Sequence, residues 1–260
     1  MAFGQLMQLS PMDVLQTYQP EYSSSNGVNS ETLPTGNLSL GATGLTTDGR
    51  SFRLAVLPVT GTTLAACKLI QSNAQTAAYH LGTVSATSIG DTSITYTFAG
   101  GAATTVANQF SGGFISIVTG TGSPQQLQIS SSPAVTSSTT ITLGLQDPIV
   151  VATSSSATAE LYANPFSAPV VTPGSSLTGT VLGAPMIGVT VSTTIPTYFW
   201  VQNGGFATVL GQGTTGIGLG GSNGSVAGSM AVVAATTPQL AIALEAGADG
   251  LYTVWDLDIA

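Results

Sequence analysis

Charged side chains are scarce in this sequence of 260 residues. Asp, Glu, Lys and Arg make up 5% of it, whereas an ordinary soluble domain carries roughly 25%. The cations are Arg50, Arg53 and Lys68, and the one histidine is His80. Acid–base catalysis, metal ligation and cofactor binding draw on these residue types, so we expect neither an enzyme nor a bound cofactor. The formal net charge of −8 argues against a nucleic-acid partner, because phosphates are bound by clustered Lys and Arg.

Long apolar runs are also missing. The mean hydropathy of +0.39 is positive, but polar or small residues interrupt each apolar stretch before the roughly 20 residues that a spanning helix needs. Aromatic residues are only 7%, too few for the girdles of a membrane barrel. The first residues lack a basic segment followed by an apolar core, so no export signal is expected. A hydrophobic content of 43% indicates a packed core rather than disorder.

Cys67 is the single cysteine, so no intrachain disulfide can form. A reactive thiol needs an activating base beside it, whereas a free cysteine is most often a small buried apolar residue. We therefore expect Cys67 to serve packing rather than chemistry.

The first 47 residues differ in pattern from the rest. Ser10 followed by Pro11 is a favourable helix start, and it predicts a short helix over about residues 11–17 within an extended arm and linker. Apolar side chains recur at every third residue, at Leu6, Leu9, Met12, Leu15 and Tyr18. We interpret these five as residues with which the arm binds a partner subunit; the alternative is a tail without a partner.

From residue 48 onward, apolar residues alternate with polar ones and turn residues separate the runs. Short alternating runs of β-branched residues are typical of sandwiches and barrels. The predicted strands are 51–56, 93–98, 113–118, 126–129, 139–143, 148–151, 187–191, 198–202, 206–210 and 251–259. The sequence thus predicts an all-β protein of short antiparallel strands in sandwich or barrel domains. We place one β domain at 48–165 and a second, or a sandwich half, at 166–260.

Two local features sharpen this prediction. Asn203 followed by Gly204 lies between two strand-like runs, which predicts a tight hairpin turn there. In the last strand, alternation places Trp255 on the core side, while Asp256 and Asp258 face solvent. Those two acids also suggest a hard-cation site, but a solvated acidic edge that discourages aggregation is the more favoured interpretation.

Two glycine motifs resemble catalytic or cofactor signatures. Residues 211–216 match the dinucleotide-binding glycine pattern, which requires a helix to begin there, and a glycine-rich run follows instead. Residues 220–224 match the nucleophile-elbow pattern, which requires a later histidine, and His80 comes earlier. We interpret both as turn or bulge glycines.

Several phrases, taken in order, resemble virion proteins of tailed bacteriophages of the head decoration (cement) type. They are DGRSFR (48–53), KLIQ (68–71), ANQFSGG (107–113), NPF (164–166), YFWVQ (198–202) and AGADGLY (246–252). The resemblance covers about residues 48–260. It implies an all-β protein on the capsid exterior, made in the host cytoplasm, that binds the major capsid protein and forms a homo-oligomer, with a trimer favoured. It implies no catalytic residues.

The expected function is therefore to bind the outer surface of a phage capsid and to reinforce contacts between major capsid protein subunits. The alternative is a tail or head fibre, or a receptor-binding component, that recognises a host-surface glycan through aromatic faces such as Tyr198, Trp200 and Trp255. A carbohydrate hydrolase would need a pair of carboxylates roughly 5–10 Å apart, and no motif indicates one.

Overall fold

The structure of the chain is a computed structural model that describes residues 7–10, 17–18, 40–59, 61–174, 176–233 and 238–259. Strands account for 46% of the structure and helix for 1%, which confirms the prediction of an all-β protein with barrel- or sandwich-like sheets. Within the described ranges, no helix is long and apolar enough to cross a membrane.

Twenty strands and one short 3-10 helix (Ala77–Tyr79) are described. In chain order the strands are β1 (Met7–Leu9), β2 (Thr17–Tyr18), β3 (Thr43–Thr46), β4 (Ser51–Leu57), β5 (Ile70–Gln71), β6 (Gly82–Val84), β7 (Ser93–Thr97), β8 (Ala103–Thr105), β9 (Phe114–Thr119), β10 (Gln125–Ser131), β11 (Val135–Ser138), β12 (Thr140–Leu145), β13 (Thr158–Tyr162), β14 (Val170–Val171), β15 (Val181–Pro185), β16 (Thr197–Gln212), β17 (Gly220–Asn223), β18 (Met230–Val232), β19 (Ala241–Ala243) and β20 (Tyr252–Asp258).

The chain divides into two compact units. The inserted unit is Ala74–Asn164, and the flanking unit combines Met1–Asn73 with Pro165–Ala260. This differs from the predicted division into 48–165 and 166–260, although the boundary near residue 165 agrees. The difference arises because β4 pairs with β16, far away in the chain, so residues 48–73 belong with the C-terminal segment.

The inserted unit is a closed antiparallel barrel with the strand order β10–β12–β7–β6–β13–β9. Strands β8 and β11 form a separate two-stranded ribbon. Alternate residues point inward, so Ile115 and Ile117 of β9 are buried while Phe114 and Val118 are exposed. Closure leaves the barrel strands without unpaired edges. The unit therefore does not need charged side chains on edge strands to discourage aggregation.

In the flanking unit, β16, β18, β17, β19 and β20 pair in a closed circuit that we call the C-terminal ring. Trp255 of β20 fills its interior and is fully buried, as the alternation of the last strand predicted. Several residues in its core cluster are small, among them Ala207, Ala241 and Ala243. A Cβ at Gly221 would lie 2.6 Å from Cζ3 of Trp255, so the missing side chain at this glycine makes room for the indole.

β16 is a single strand of 16 residues, so the hairpin predicted at Asn203 and Gly204 is wrong. Its first half pairs with β4 and its second half with β20, and the register shifts between Gln202 and Gly204. The Asn203 side chain donates its Nδ2 hydrogen bond to the carbonyl of Ile259 at 3.0 Å. Distant partners thus straighten a dipeptide that would form a turn locally.

Two shorter predicted strands are also not formed. Residues 148–151 are a loop that buries Ile149 and exposes Val150 and Val151. Residues 187–191 contribute only an isolated bridge, between Val189 and Leu64. Both runs are rich in β-branched residues, but neither has a neighbouring strand along its whole length.

Candidate interaction surface

The structure places two of the five predicted arm residues. Leu9 lies in β1, which pairs in parallel with β3. Its side chain is buried against the flanking unit's own core beside Phe52, Leu54 and Trp200, so it is not presented to a partner here. Tyr18 lies in β2, which pairs with β16. Leu6, Met12 and Leu15 lie outside the described residues, as does most of the predicted 11–17 helix, whose last residue, 17, begins β2.

Among the described residues, His80 and Glu160 form the one contact between an imidazole and a carboxylate. Nδ1 of His80 lies 2.6 Å from Oε2 of Glu160. The histidine side chain is 63% exposed and the glutamate side chain 8%. Alternation in β13 turns Glu160 to the outer side of the barrel wall, because Ala159 and Leu161 fill the core. His80 is therefore a surface residue, with a distant partner that its sequence context did not indicate.

The two glycine motifs fold as turns and strand. β16 ends at Gln212, and Gly213 and Gly218 in the following loop have φ near +71° and +78°. No helix begins in residues 211–216, all of which are described, so the geometry that a pyrophosphate requires is not formed. Residues 220–223 form β17, and Ser222 is buried there. A nucleophile elbow exposes its serine at a strand-to-helix turn, so this match has another cause.

Cys67 is only partly buried and has a left-handed backbone, with φ near 57°. Burial raises the pKa of its thiol, which reduces the fraction of reactive thiolate near neutral pH. Its carbonyl accepts a hydrogen bond from the Leu210 amide at 2.9 Å. Cys67 therefore ties a loop to β16 and has no feature of an activated nucleophile.

Large apolar side chains cover part of the outer wall of the C-terminal ring. Phe206 of β16 and Ile242 of β19 both lie opposite Asp256 of the intervening β20. Two positions away from Ile242 and Asp256, the Leu244 amide donates a hydrogen bond to the carbonyl of Val254. We define the acid-centred face as Asp256 together with the apolar residues around it, which are Phe206, Tyr252, Val254, Ile242 and Leu244.

Four of the five apolar members of this face are exposed. The exposed fraction is 64% for Phe206, 54% for Tyr252, 43% for Ile242 and 38% for Leu244. Scattered exposed apolar side chains are ordinary, but a contiguous group on adjacent strands is typical of an interaction surface. The face is therefore the strongest candidate site in the flanking unit.

The side-chain carboxylate of Asp256 has no hydrogen bond or ion pair with any residue that the structure describes. The cations of the sequence are engaged elsewhere. Arg50 pairs with Asp48 at 2.8 Å, and Arg53 donates to the carbonyl of Gly41 and to the Thr43 hydroxyl. The stem of Lys68 packs over Gly228. The charge at the centre of the face is thus uncompensated.

A shallow cleft lies beside the end of β16. Its lining combines amide, hydroxyl and backbone groups and one carboxylate with the apolar side chains of Ala231 and Val232. The lining residues are Gln212, Gly213, Thr214, Ser222, Asn223, Gly224, Ser225, Ala231, Val232 and Asp249. Oδ1 of Asp249 accepts a hydrogen bond from the Gly213 amide at 2.8 Å. No aromatic side chain lines it.

Across the described ranges, no group of three or more His, Cys, Asp or Glu side chains is close enough to hold a metal ion. Asp256 and Asp258 lie on the outer side of β20, as predicted, with Asp258 exposed. Comparison of the chain with protein-family models, curated proteins and solved structures found no match in any of the three.

Proposed function

We propose that this chain is a structural virion protein that binds the outer surface of a tailed-phage capsid and reinforces contacts between major capsid protein subunits. It acts by shape and surface contact rather than by chemistry, as a homo-oligomer for which a trimer is favoured. The sequence phrases that resemble decoration proteins support a position on the capsid exterior.

The observation that carries the proposal is the exposure of large apolar side chains on strand outer walls, on a chain with three cations. In the inserted barrel, Phe114 lies opposite Tyr162 on the adjacent strand, and the two are 38% and 42% exposed. In the flanking unit, the acid-centred face repeats this arrangement on a larger scale. Such surfaces favour association with another protein.

Oligomerisation supports the same function physically. A protein that reinforces a shell gains from repeated weak contacts, because each further site of an oligomer binds at high effective concentration after the first. Modest apolar faces are then sufficient, and a strong ionic interface is not required.

Binding to assembled capsids tests the proposal. Purified chain is mixed with mature capsids of the phage that encodes it, and co-sedimentation measures the bound fraction before and after heating. We expect saturable binding and a higher temperature of capsid disruption. Protein that ignores mature capsids and is missing from purified particles would contradict the function.

The cleft beside the end of β16 favours one alternative, a fibre or receptor-binding component that recognises a host glycan. Amide and hydroxyl groups suit a sugar, but two of the three aromatic side chains on which the sequence-based hypothesis relied are not available, and the third, Tyr198, is partly buried. Trp200 and Trp255 are buried, and their rings pack in the core. A glycan array with the wild-type chain and Asp249→Ala tests this alternative, which requires binding that the substitution abolishes.

A further inference from the structure

We propose that the acid-centred face is the docking surface of this chain, and that it fits a protein surface presenting Lys or Arg side chains next to apolar ones. The inference rests on the proposed function, for which it names the contact surface and the chemistry of the partner. The capsid protein that the chain binds would carry that cationic and apolar patch.

Two strands of the C-terminal ring invert the usual strand pattern, because a large apolar side chain faces outward and small ones face inward. Along the second half of β16, the bulky Phe206 faces outward while Ala207 faces the interior of the ring. β19 repeats this, with Ile242 outward between two buried alanines. The indole of Trp255 occupies the interior, and the inward alanines leave room for it. This does not explain why the outward positions are phenylalanine and isoleucine rather than threonine or serine, which are common at other exposed positions.

The acid-centred face carries a negative charge between its apolar side chains. Asp256 lies between Phe206 and Ile242 in the same cross-strand row. A partner that covers those two side chains must also cover the carboxylate, and burying an unpaired carboxylate is costly. A Lys or Arg side chain from the partner removes this cost by forming a charge-assisted hydrogen bond. The pattern therefore selects a partner with a cation beside its apolar contacts.

A second copy of the chain, nucleic acid and anionic lipid do not fit the acid-centred face. A second copy has three cations. Arg50 and Arg53 are held by their own neighbours, and the stem of Lys68 packs over Gly228. Two copies meeting through the same face would bring two Asp256 carboxylates together. Nucleic acid and anionic lipid are repelled by the acid and by the net charge of −8. A different protein with a basic and apolar patch remains.

The test uses full-length chain, purified capsids and matched variants. Phe206→Ser and Ile242→Ser remove apolar contact, and Asp256→Lys reverses the central charge. Their controls are Ile217→Ser, at an apolar side chain that is 73% exposed in a loop, and Asp147→Lys, which makes the same charge change in the inserted unit. Thermal melting of each variant, compared with wild type, shows that it is folded.

We expect the three face variants to bind capsids at least about tenfold more weakly, as hot-spot and charge-pair substitutions do, while the controls bind within about twofold of wild type. Face variants that bind like the controls would overturn the inference and leave the proposed function standing. A face substitution that instead dissolves a homo-oligomer would assign the face to a second copy and also overturn it.

A second experiment distinguishes the two proposals if the wild-type chain does not bind capsids at all. That outcome would contradict the proposed function. A labelled short peptide of alternating lysine and leucine is titrated with wild-type chain and with Asp256→Lys, beside glutamate–leucine and lysine–serine peptides. The inference requires that the lysine–leucine peptide bind best and that Asp256→Lys weaken it severalfold. Equal binding of all three peptides would overturn it.

Discussion

Nδ1 of His80 lies 2.6 Å from Oε2 of Glu160, although 79 residues separate them and only the histidine is well exposed. Glu160 points outward from the barrel wall, and its side chain is still only 8% exposed. A carboxylate in that position keeps its hydrogen-bond partner or loses free energy of folding, because water reaches it poorly.

Replacing the imidazole should therefore destabilise the inserted barrel. We expect His80→Ala to lower the free energy of unfolding by about 1–2 kcal/mol, since a mostly buried acceptor loses its donor. His80→Gln should lose less, because its amide can still donate to Glu160. Chemical denaturation of both variants and of the wild type measures the differences, and a His80→Ala variant as stable as the wild type would show that the contact contributes nothing.

The neighbouring Tyr96 predicts a loss of stability at alkaline pH. Its hydroxyl accepts a hydrogen bond from the Gly82 amide at 3.0 Å and donates to the carbonyl of Ala78 at 3.3 Å. Burial, with a smaller contribution from the charge of Glu160, raises the pKa of Tyr96 to about 12. An unfolded tyrosine titrates near pH 10, so the folded state holds the neutral phenol.

The direction in which stability changes with pH follows from proton binding. The stabilisation by neutral Tyr96 is complete below about pH 10 and is lost as the pH rises toward 12, by an amount of the order of 2 kcal/mol. Tyr96→Phe removes this dependence. Burial also raises the pKa of Tyr198, which is present in both proteins, so the difference between their stability–pH curves isolates Tyr96. Parallel curves between pH 9 and 11.5 would refute the assignment.

Local pattern predicted much of the fold because strand alternation is a local property. The strand at Ser51–Leu57 and the inward tryptophan of β20 followed from period-two alternation alone. The division into units did not, because it depends on β4 pairing with residues about 150 positions later. The same limit produced the wrong hairpin, since Asn203 is held by Ile259 and by the Ser51 hydroxyl.

The candidate site was not predicted for a related reason. Alternation puts Phe206 and Ala207 on opposite sides of a strand, but it does not say which side is the interior, and hydrophobicity alone favours the phenylalanine. The volume of Trp255 reverses that choice, and its position within the ring depends on the pairing of five strands. The uncompensated state of Asp256 likewise depends on where the cations lie in space.

The glycine at position 221 offers a direct test of the crowded ring. A Cβ there would lie 2.6 Å from both Cζ3 of Trp255 and Sδ of Met230. We expect Gly221→Ala to lower the free energy of unfolding by about 1–3 kcal/mol through overpacking. Gly188→Ala is the matched control, because the nearest atom to its added Cβ would be the Leu64 carbonyl oxygen at 3.8 Å. Similar costs at both positions would contradict the crowding argument.

The contact between Leu9 and Gly44 tests whether β1 contributes to stability. A Cβ at Gly44 would lie 2.3 Å from Cδ1 of Leu9 and 3.2 Å from Cζ3 of Trp200, so the glycine makes room for the leucine. We expect Leu9→Ala to cost about 2–5 kcal/mol, the usual range for a buried leucine, and Gly44→Ala to cost about 1–3 kcal/mol by overpacking.

The double variant distinguishes this packing from two unrelated defects. With Leu9 shortened to alanine, the added methyl group at position 44 enters the vacated space, so Leu9→Ala with Gly44→Ala should be more stable than the sum of the single costs predicts, by more than about 0.5 kcal/mol. Denaturant melts of the four proteins measure this coupling. Additive costs would mean that β1 does not occupy the groove beside β3, and the apolar residues of the arm would then be free to bind a partner, as the sequence alone suggested.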